Sequence, residues 1–265
     1  MLALYHNNMS SCSQKVRLAL AEKNLDWQSR HLDLRAGDTQ TESYLKLNSK
    51  GLVPTLDHDG QIVRESNVIL EYLEDVFPEP SIRPADPFGK AEMRLWMKRL
   101  DEGHHDLATT SISMGIAFRH QFLARGEDEC LKLIEAVPDP VKRERRRDLI
   151  FKGLDAPVFY EAIRMWASLM TDMDVALTGR EWLAGDAYSI ADAAYVPYLT
   201  RLDHLNVLGF LDGCDSLAGW YDRVRERPSY KIAILDWNDE KYLRLMAEKG
   251  AEAWPKIVEV LGNAG

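Results

Sequence analysis

Short apolar runs alternate with amphipathic segments in the N-terminal part of the chain. Residues 2–5 are apolar, and Val16, Ala19 and Leu20 then share one face of a helical pattern. Residues 27–34 alternate in the way that is typical of a strand. The pattern predicts a strand, a helix and a second strand that is parallel to the first, with Ser13 as the N-cap of the helix.

The segments that follow predict an antiparallel strand pair and a further helix. Residues 42–47 fit a short helix, and apolar runs flank Asp59-Gly60. This dipeptide favours a tight hairpin because both of its residues readily adopt positive φ. Ser66 then begins a strongly periodic helix. Residues 1–79 are therefore predicted to form an α/β domain with the element order βαβ-α-ββα.

The rest of the chain is predicted to be helical. Four prolines fall within residues 78–87, and neither a helix nor a central strand tolerates them, so we expect a linker at residues 80–87. Long helical periodicities then predict an all-α domain over residues 88–265, beginning with one helix over residues 88–117. Residues 189–192, Ser-Ile-Ala-Asp, resemble a capping box and predict the start of a buried helix.

Composition and charge exclude several classes of protein. The net charge is -9, which gives no general attraction to nucleic acid, and the basic segment 142–147 fits a solvated helix face. No apolar run approaches the ~20 residues of a membrane-spanning helix, and the N-terminus lacks a secretory pattern, so we expect a cytoplasmic protein that does not insert into membranes. The three cysteines, Cys12, Cys130 and Cys214, are far apart and odd in number, which favours a reducing compartment.

A cluster of hydroxyls and a thiol stands before the first predicted helix. Ser10, Ser11 and Cys12 occupy this position. Unpaired amides and the positive end of the helix dipole favour an anion there, for example a thiolate. Serine clusters before helices are more often simple caps, so this segment alone leaves both interpretations open.

Two further pairs, Val53-Pro54 before a strand and Glu65-Ser66 before a helix, make the pattern specific. Together with the Ser-Ser-Cys-Ser-x-x-Val-Arg run that begins at Ser10, they resemble the glutathione transferase family, over essentially the whole chain. The run is similar to the signature of the zeta class, the maleylacetoacetate isomerases.

Other segments, at residues 57–60, 71–79 and 83–88, resemble bacterial transferases related to the lignin β-etherases. The family resemblance implies a thioredoxin-like N-terminal domain, an all-α C-terminal domain, glutathione as co-substrate and a homodimer.

The resemblance puts Ser10, six residues before Val16, at the position of the catalytic hydroxyl. Serine cannot deprotonate a thiol, but its hydroxyl can donate to a thiolate, and a hydrogen bond to a charged group contributes about 1.5–3 kcal/mol. Ser11 is a neighbouring candidate. Cys12 is the rival, because it could instead form a mixed disulfide with glutathione.

The resemblance also assigns contacts to the rest of glutathione. Val53, before a Pro54 that is expected to be cis, would pair with the cysteinyl backbone, and Ser66 and Glu65 would bind the γ-glutamyl carboxylate and ammonium. The full set of expected glutathione residues is Lys50, Leu52, Val53, Pro54, Glu65, Ser66 and Asp101, the last of these near the glutathione of the partner subunit. The sequence departs from the family at Leu52, where Gln or Lys is usual, and at Ser49, where Pro is usual.

The electrophile pocket is expected on the helix over residues 88–117, between that helix and the Ser10 loop. Helical spacing makes His104, His105, Thr109 and Ile112 the candidates. The two adjacent histidines also raise the possibility of a metal site, but their side chains point about 100° apart on a helix and no third ligand has matching spacing. We therefore expect no metal.

These expectations define a main hypothesis and two alternatives. The main hypothesis is a glutathione transferase whose serine-stabilised thiolate attacks a hydrophobic, aromatic electrophile, by conjugation or by β-aryl ether cleavage, in a detoxification-type reaction. The alternatives are a zeta-like isomerase and a noncatalytic protein of the same fold that binds glutathione or another small ligand.

Overall fold

The computed structural model describes residues 1–137 and 139–262. The chain divides into two compact units. The sheet unit consists of Met1–Met97, Gly179–Tyr198 and Gly219–Asp239, and the helical unit of Lys98–Thr178, Leu199–Ala218 and the segment from Glu240 onward. The domain bounds 1–79 and 88–265, with a linker at 80–87, stay a prediction.

A four-stranded mixed sheet lies in the sheet unit, with the order β2-β1-β3-β4. The strands are β1 (Leu2–His6), β2 (Trp27–His31), β3 (Thr55–His58) and β4 (Gln61–Arg64). β2 is parallel to β1, whereas β3 is antiparallel to both β1 and β4. Asp59 (φ 51°) and Gly60 (φ 85°) form the predicted hairpin turn between β3 and β4. The predicted order βαβ-α-ββα is confirmed.

Helices of the sheet unit pack apolar faces into its core. They include α1 (Ser11–Glu22), α2 (Glu42–Leu47) and α3 (Ser66–Val76), and α4 (Pro87–Arg99) follows them. Leu4 and Leu56 of the sheet are fully buried, as are Val16 and Leu20 of α1 and Ile69 of α3. The sequence pattern therefore identifies the core-facing residues of α1 and α3.

The strand predicted over residues 27–34 is too long, because β2 ends at His31. Beyond it, the Asp33 amide donates to Asp38 Oδ2 at 2.8 Å, and the Arg35 amide donates to Asp33 Oδ1 at 2.8 Å. These aspartate side chains take over the backbone donors and turn the chain away from the sheet.

The remainder of the described chain contains helices and no further strand, which confirms the all-α prediction. The helices are α5 (Thr110–Ser113), α6 (Arg119–Leu123), α7 (Glu127–Glu135), α8 (Pro140–Phe151), α9 (Pro157–Leu177), α10 (Ile190–His204), α11 (Asp215–Glu226), α12 (Pro228–Ala233) and α13 (Glu240–Gly262). Short 3₁₀ turns lie at Asp38–Gln40, Gly153–Asp155, Leu208–Leu211 and Leu235–Trp237.

The single helix predicted over residues 88–117 is wrong. α4 ends at Arg99, and π-helical turns at Leu100–Thr109 and Met114–Phe118 flank the short α5. Gly103 has a φ of 128°, outside the helical region, so the chain kinks there. The apolar periodicity continues across the kink and conceals it.

Two further predictions concern later helices. The buried helix expected after residues 189–192 is α10, which begins at Ile190. The basic segment 142–147 lies on α8, where Lys142 and Arg145 form ion pairs with Asp106 at 3.0 and 3.5 Å. The side chains of the segment are exposed or half-buried, and these ion pairs lie within the helical unit.

Among the residues that the structure describes, we find no helix with the length and apolar character to cross a membrane.

Candidate functional site

One edge of the sheet gathers the three segments that carry the predicted glutathione residues. Tyr5 of β1 is paired with Thr55 of β3, and Thr55 is paired with Arg64 of β4. The chain therefore leaves β1, enters β3 and leaves β4 at the same edge. The loop that ends at Ser10, the Val53-Pro54 pair and the Glu65-Ser66 pair all adjoin it.

Ser10 is the N-cap of α1, with extended backbone (φ -74°, ψ 119°) and a side-chain oxygen that accepts from the Ser13 amide at 3.3 Å. The prediction of Ser13 as the cap is wrong, because the helix begins earlier, at Ser11. The Ser13 hydroxyl instead accepts from the Asn7 amide at 3.3 Å. Since the Ser10 oxygen acts as an acceptor here, its hydroxyl hydrogen can still be donated to an anion at the helix terminus.

Ser11 and Cys12 lie in the first turn of α1. Ser11 is 7% exposed and Cys12 is half-buried. The other two thiols lie elsewhere, and burial raises the pKa of both Cys130 and Cys214. Cys12 lies in the first turn of α1, where the helix N-terminus favours a thiolate.

Val53 precedes a cis peptide bond to Pro54, as the resemblance implies. Within the described chain, the backbone amide and carbonyl of Val53 form no hydrogen bond. The preceding Leu52 carbonyl accepts from Tyr44 Oη at 2.6 Å and from Asn48 Nδ2 at 2.9 Å. These bonds hold the loop in place and leave the polar groups of Val53 available to a ligand backbone.

Glu65 and Ser66 stand at the N-terminus of α3. Glu65 is the N-cap residue with a φ of 65°, a left-handed conformation that is uncommon for a side-chain-bearing residue. Its carboxylate lies 2.7 Å from Lys50 Nζ, and both side chains are more than half exposed. Lys50 and Glu65, both among the expected glutathione residues, are thus paired with each other.

The expected pocket residues lie in the helical unit, on the π-helical and short helical segments that replace the predicted long helix. Asp101 is exposed and His105 is half-buried, whereas His104, Thr109 and Ile112 are buried. Burial, with smaller contributions from Arg99 and His105, lowers the pKa of His104 to about 3, so its ring is neutral near pH 7. The ring packs edge-on against Trp166, with 4.8 Å between centroids.

Across residues 1–137 and 139–262 we find no group of three or more His, Cys, Asp or Glu side chains that could hold a metal ion.

The assignments of Ser10, Ser11, Cys12 and the glutathione and pocket residues remain predictions.

Sequence reasoning overlooked Asn7, which organises the loop before Ser10. Its carbonyl accepts from the Ser10 amide at 3.4 Å, its Oδ1 accepts from the Met9 amide at 3.1 Å, and its Nδ2 donates to the Leu32 carbonyl at 2.9 Å. An asparagine directly after a strand is a common turn signal and could have indicated this role.

Comparisons with known proteins identify the family of the chain. Residues 9–76 match the glutathione S-transferase N-terminal domain and residues 143–223 the C-terminal domain. The chain is 31% identical to the protein LigF of Sphingobium sp. strain SYK-6, over 94% of this chain and 99% of that protein. The crystal structure of the β-etherase LigF superposes with a TM-score of 0.78, covering 88% of this chain and 98% of the other at 30% identity.

Another match is shorter. A probable maleylacetoacetate isomerase of Caenorhabditis elegans is 40% identical over 91 residues, which are 34% of this chain and 42% of that protein. The chain belongs to the glutathione S-transferase family, a family of enzymes with relatives of both the LigF type and the zeta type.

Proposed function

We propose that this protein is a glutathione transferase in which Ser10 stabilises the glutathione thiolate for attack on a hydrophobic aromatic electrophile, with β-aryl ethers as the leading substrate class. The observation that carries the proposal is the position of the Ser10 hydroxyl at the N-terminus of α1, in a chain that matches the β-etherase LigF over nearly its whole length. A helix N-terminus and a hydroxyl donor both favour a thiolate over a thiol.

In the proposed reaction the glutathione sulfur forms a bond to the carbon that carries the aryl ether oxygen, and that carbon–oxygen bond breaks. The electron pair leaves with the oxygen as a phenolate, which takes up the proton that the thiol gave away. The products are a glutathione thioether and a phenol, so atoms and charge balance. An aryl halide would react in the same way with halide as the leaving group.

Substrate turnover tests this proposal. The purified protein is incubated with glutathione and either a β-aryl ether that carries a fluorogenic phenol, an aryl halide or a cis-dienone acid. With the β-aryl ether, we expect the phenol to be released in an amount equal to that of the glutathione thioether, which mass spectrometry detects. Saturable glutathione binding without turnover of any of these compounds would indicate the noncatalytic alternative.

The zeta-like isomerase is the second candidate, and the 40% identity over 91 residues to a probable maleylacetoacetate isomerase supports it. In an isomerisation glutathione adds to the dienone acid and then leaves, so no glutathione is consumed. Conversion of the dienone acid with the glutathione concentration unchanged would favour this candidate over ether cleavage.

We further propose that the protein acts as a cytoplasmic homodimer, with Asp101 near the glutathione of the partner subunit. Exposed apolar side chains support an interface on the sheet unit. They are Val68 of α3 and Phe88 and Leu95 of α4, which are 55%, 73% and 66% exposed.

Glutathione affinity should depend on Glu65 and Ser66. Glu65→Ala and Ser66→Ala should each weaken binding by roughly 1.5–3 kcal/mol, because each substitution removes a charge-assisted hydrogen bond to the γ-glutamyl group. Calorimetric titration at constant ionic strength measures the effect.

Glu42→Ala is the matched control for this titration, because Glu42 also forms an exposed ion pair, with Lys46 at 2.8 Å, but on α2. It should leave the affinity unchanged. If Glu65→Ala and Ser66→Ala bind glutathione as tightly as Glu42→Ala does, the γ-glutamyl group does not bind at α3.

A further inference from the structure

Arg17 of α1 is a buried arginine whose hydrogen bonds go to the backbone and to one histidine. Its side chain is 1% exposed. Nε donates to the Ala233 carbonyl at 2.8 Å, one terminal nitrogen donates to the Asn7 carbonyl at 3.0 Å, and the other to the Asn8 carbonyl at 2.8 Å. The guanidinium carbon also lies 5.1 Å from the centroid of the Trp237 ring.

No carboxylate forms an ion pair with this guanidinium anywhere in the described ranges. Burial lowers the pKa of Arg17 to about 9, so the group still carries its charge near pH 7. Buried cations are ordinarily paired with an anion, because burial removes the water that would otherwise solvate the charge. Here carbonyl dipoles and an aromatic face take the place of the counter-ion.

His6 completes the surroundings of Arg17 as a neutral ring. Burial, then Arg17 and His31, lower the pKa of His6 to about 3. Its Nδ1 lies 3.1 Å from a terminal nitrogen of Arg17, and its Nε2 lies 2.8 Å from Ser29 Oγ. Since arginine can only donate, Nδ1 is the acceptor and Nε2 carries the hydrogen. The arrangement therefore adds no negative charge.

The carbonyls that Arg17 binds belong to the loop that carries Ser10. The Asn7 carbonyl accepts both from Arg17 and from the Ser10 amide, and the Asn7 amide donates to Ser13 Oγ. Arg17 thus lies one backbone group away from Ser10. Through Ala233 and Trp237 it also ties this loop to the α12 region of the same unit.

We propose that Arg17 is a positioning residue for glutathione addition: it fixes the Asn7–Asn8 backbone so that the Ser10 hydroxyl is aimed at the thiolate, and it supplies an uncancelled positive charge at that end of α1. The inference rests on the proposed function of Ser10. Three donors in a rigid fork are required to reach carbonyls on two separate segments, which a lysine cannot reproduce.

Arg17→Met and Arg17→Lys test the proposal, because methionine removes the charge and lysine keeps it without the fork. Arg119→Met is the matched control. Arg119 also bridges backbone carbonyls, those of Ile150 and Phe151 at 2.9 and 3.2 Å, but it does so in the helical unit.

Three readouts are needed: hydrogen exchange of residues 7–13 in the ligand-free protein, kcat and KM for glutathione, and the pH dependence of thiolate absorbance in the glutathione complex. We expect both Arg17 variants to lose exchange protection over residues 7–13 and to lower kcat by roughly 10- to 100-fold with a much smaller change in KM. The thiol pKa should rise further in Arg17→Met than in Arg17→Lys. Arg119→Met should change none of the three.

Wild-type exchange protection of residues 7–13 in Arg17→Met, or full kcat in Arg17→Lys, would overturn the proposal. If neither variant folds, the guanidinium NMR signals of the wild-type protein are measured instead. Saturation with glutathione should shift the signals of Arg17 and leave those of Arg119 unchanged. Unshifted Arg17 signals would overturn the proposal. Absence of glutathione binding to the wild-type protein would instead defeat the proposed function, while the exchange data would still report on the Ser10 loop.

Discussion

Replacing Ser10 with alanine should lower the rate of glutathione addition near pH 7 by roughly 10- to 150-fold, because a hydrogen bond to a charged acceptor contributes about 1.5–3 kcal/mol. The hydroxyl stabilises the thiolate and not the thiol, so its loss should also raise the kinetic pKa of the bound thiol. The expected rise is about one to two units, since one unit corresponds to about 1.4 kcal/mol. A pH–rate profile of kcat/KM measures both effects.

The loss of an N-cap needs its own control, because Ser10 also accepts from the Ser13 amide. Thr41 caps α2 in the same manner, accepting from the Tyr44 amide at 3.4 Å. Thr41→Ala should cost about 1 kcal/mol of stability, as an N-cap typically does, and leave the pH–rate profile unchanged. If the pH–rate profile of Ser10→Ala matches that of Thr41→Ala, Ser10 does not stabilise the thiolate.

Cys12→Ala distinguishes a mechanism that uses the Ser10 hydroxyl from one that uses the Cys12 thiol. If Ser10 holds the thiolate, this variant should keep the wild-type profile. If Cys12 instead forms a mixed disulfide with glutathione, its loss should abolish deglutathionylation. Iodoacetamide should then label Cys12 before Cys130 and Cys214, whose thiol pKa values are raised by burial. A profile that collapses only in Cys12→Ala would reverse the assignment.

Much of the sheet could be predicted because its signals are local. Asp59-Gly60 supplies the positive φ values that a two-residue hairpin needs, and both residues adopt them. The apolar residues Val16, Leu20 and Ile69 follow the period of a helix that is covered on one face, and all three are fully buried. In each case the physical requirement involves neighbours in the sequence.

The failures arise where several residues could satisfy the same requirement. Four residues at the start of α1 include three serines, and any of these can cap a helix. The choice of Ser10 depends on Asn7, whose amide takes the Ser13 hydroxyl as a partner. Similarly, the apolar period of residues 88–117 holds across Gly103, and only the backbone reveals the kink.

The residues of the candidate site could be predicted from the sequence, but the contacts between them could not. The pairs Val53-Pro54 and Glu65-Ser66 follow from the resemblance, and the strand register brings their segments to one edge of the sheet. The ion pair between Lys50 and Glu65 joins residues fifteen apart in the sequence. The contact of Arg17 with the Ala233 carbonyl spans 216 residues, so no local pattern could predict it.

Asp192 should be among the least replaceable residues for stability, because one buried carboxylate accepts four hydrogen bonds. Oδ1 accepts from the Leu183 amide at 3.0 Å and from Trp220 Nε1 at 2.8 Å. Oδ2 accepts from the Ser189 amide at 2.8 Å and from the Ser189 hydroxyl at 2.9 Å. The side chain is fully buried, and its first function is the predicted cap of α10.

Asp192→Ala should lower the free energy of unfolding by at least about 3 kcal/mol, because it leaves several buried donors without an acceptor at about 1–3 kcal/mol each. Such a loss is a large fraction of the roughly 5–15 kcal/mol that stabilises a typical domain. Asp192→Asn should be intermediate, since its amide oxygen can still accept on one side while its amide nitrogen faces the Ser189 donor. Denaturant titration with thermal melting measures the order.

Asp215→Ala is the matched control for this experiment. Asp215 lies in the first turn of α11 and is exposed, so its loss removes a favourable helix-dipole interaction of about 0.3–1 kcal/mol and no buried acceptor. If Asp192→Ala unfolds at the same denaturant concentration as Asp215→Ala, the four donors find other acceptors when the carboxylate is lost. The cap would then not be what holds the Leu183–Ser189 segment and Trp220 to the start of α10.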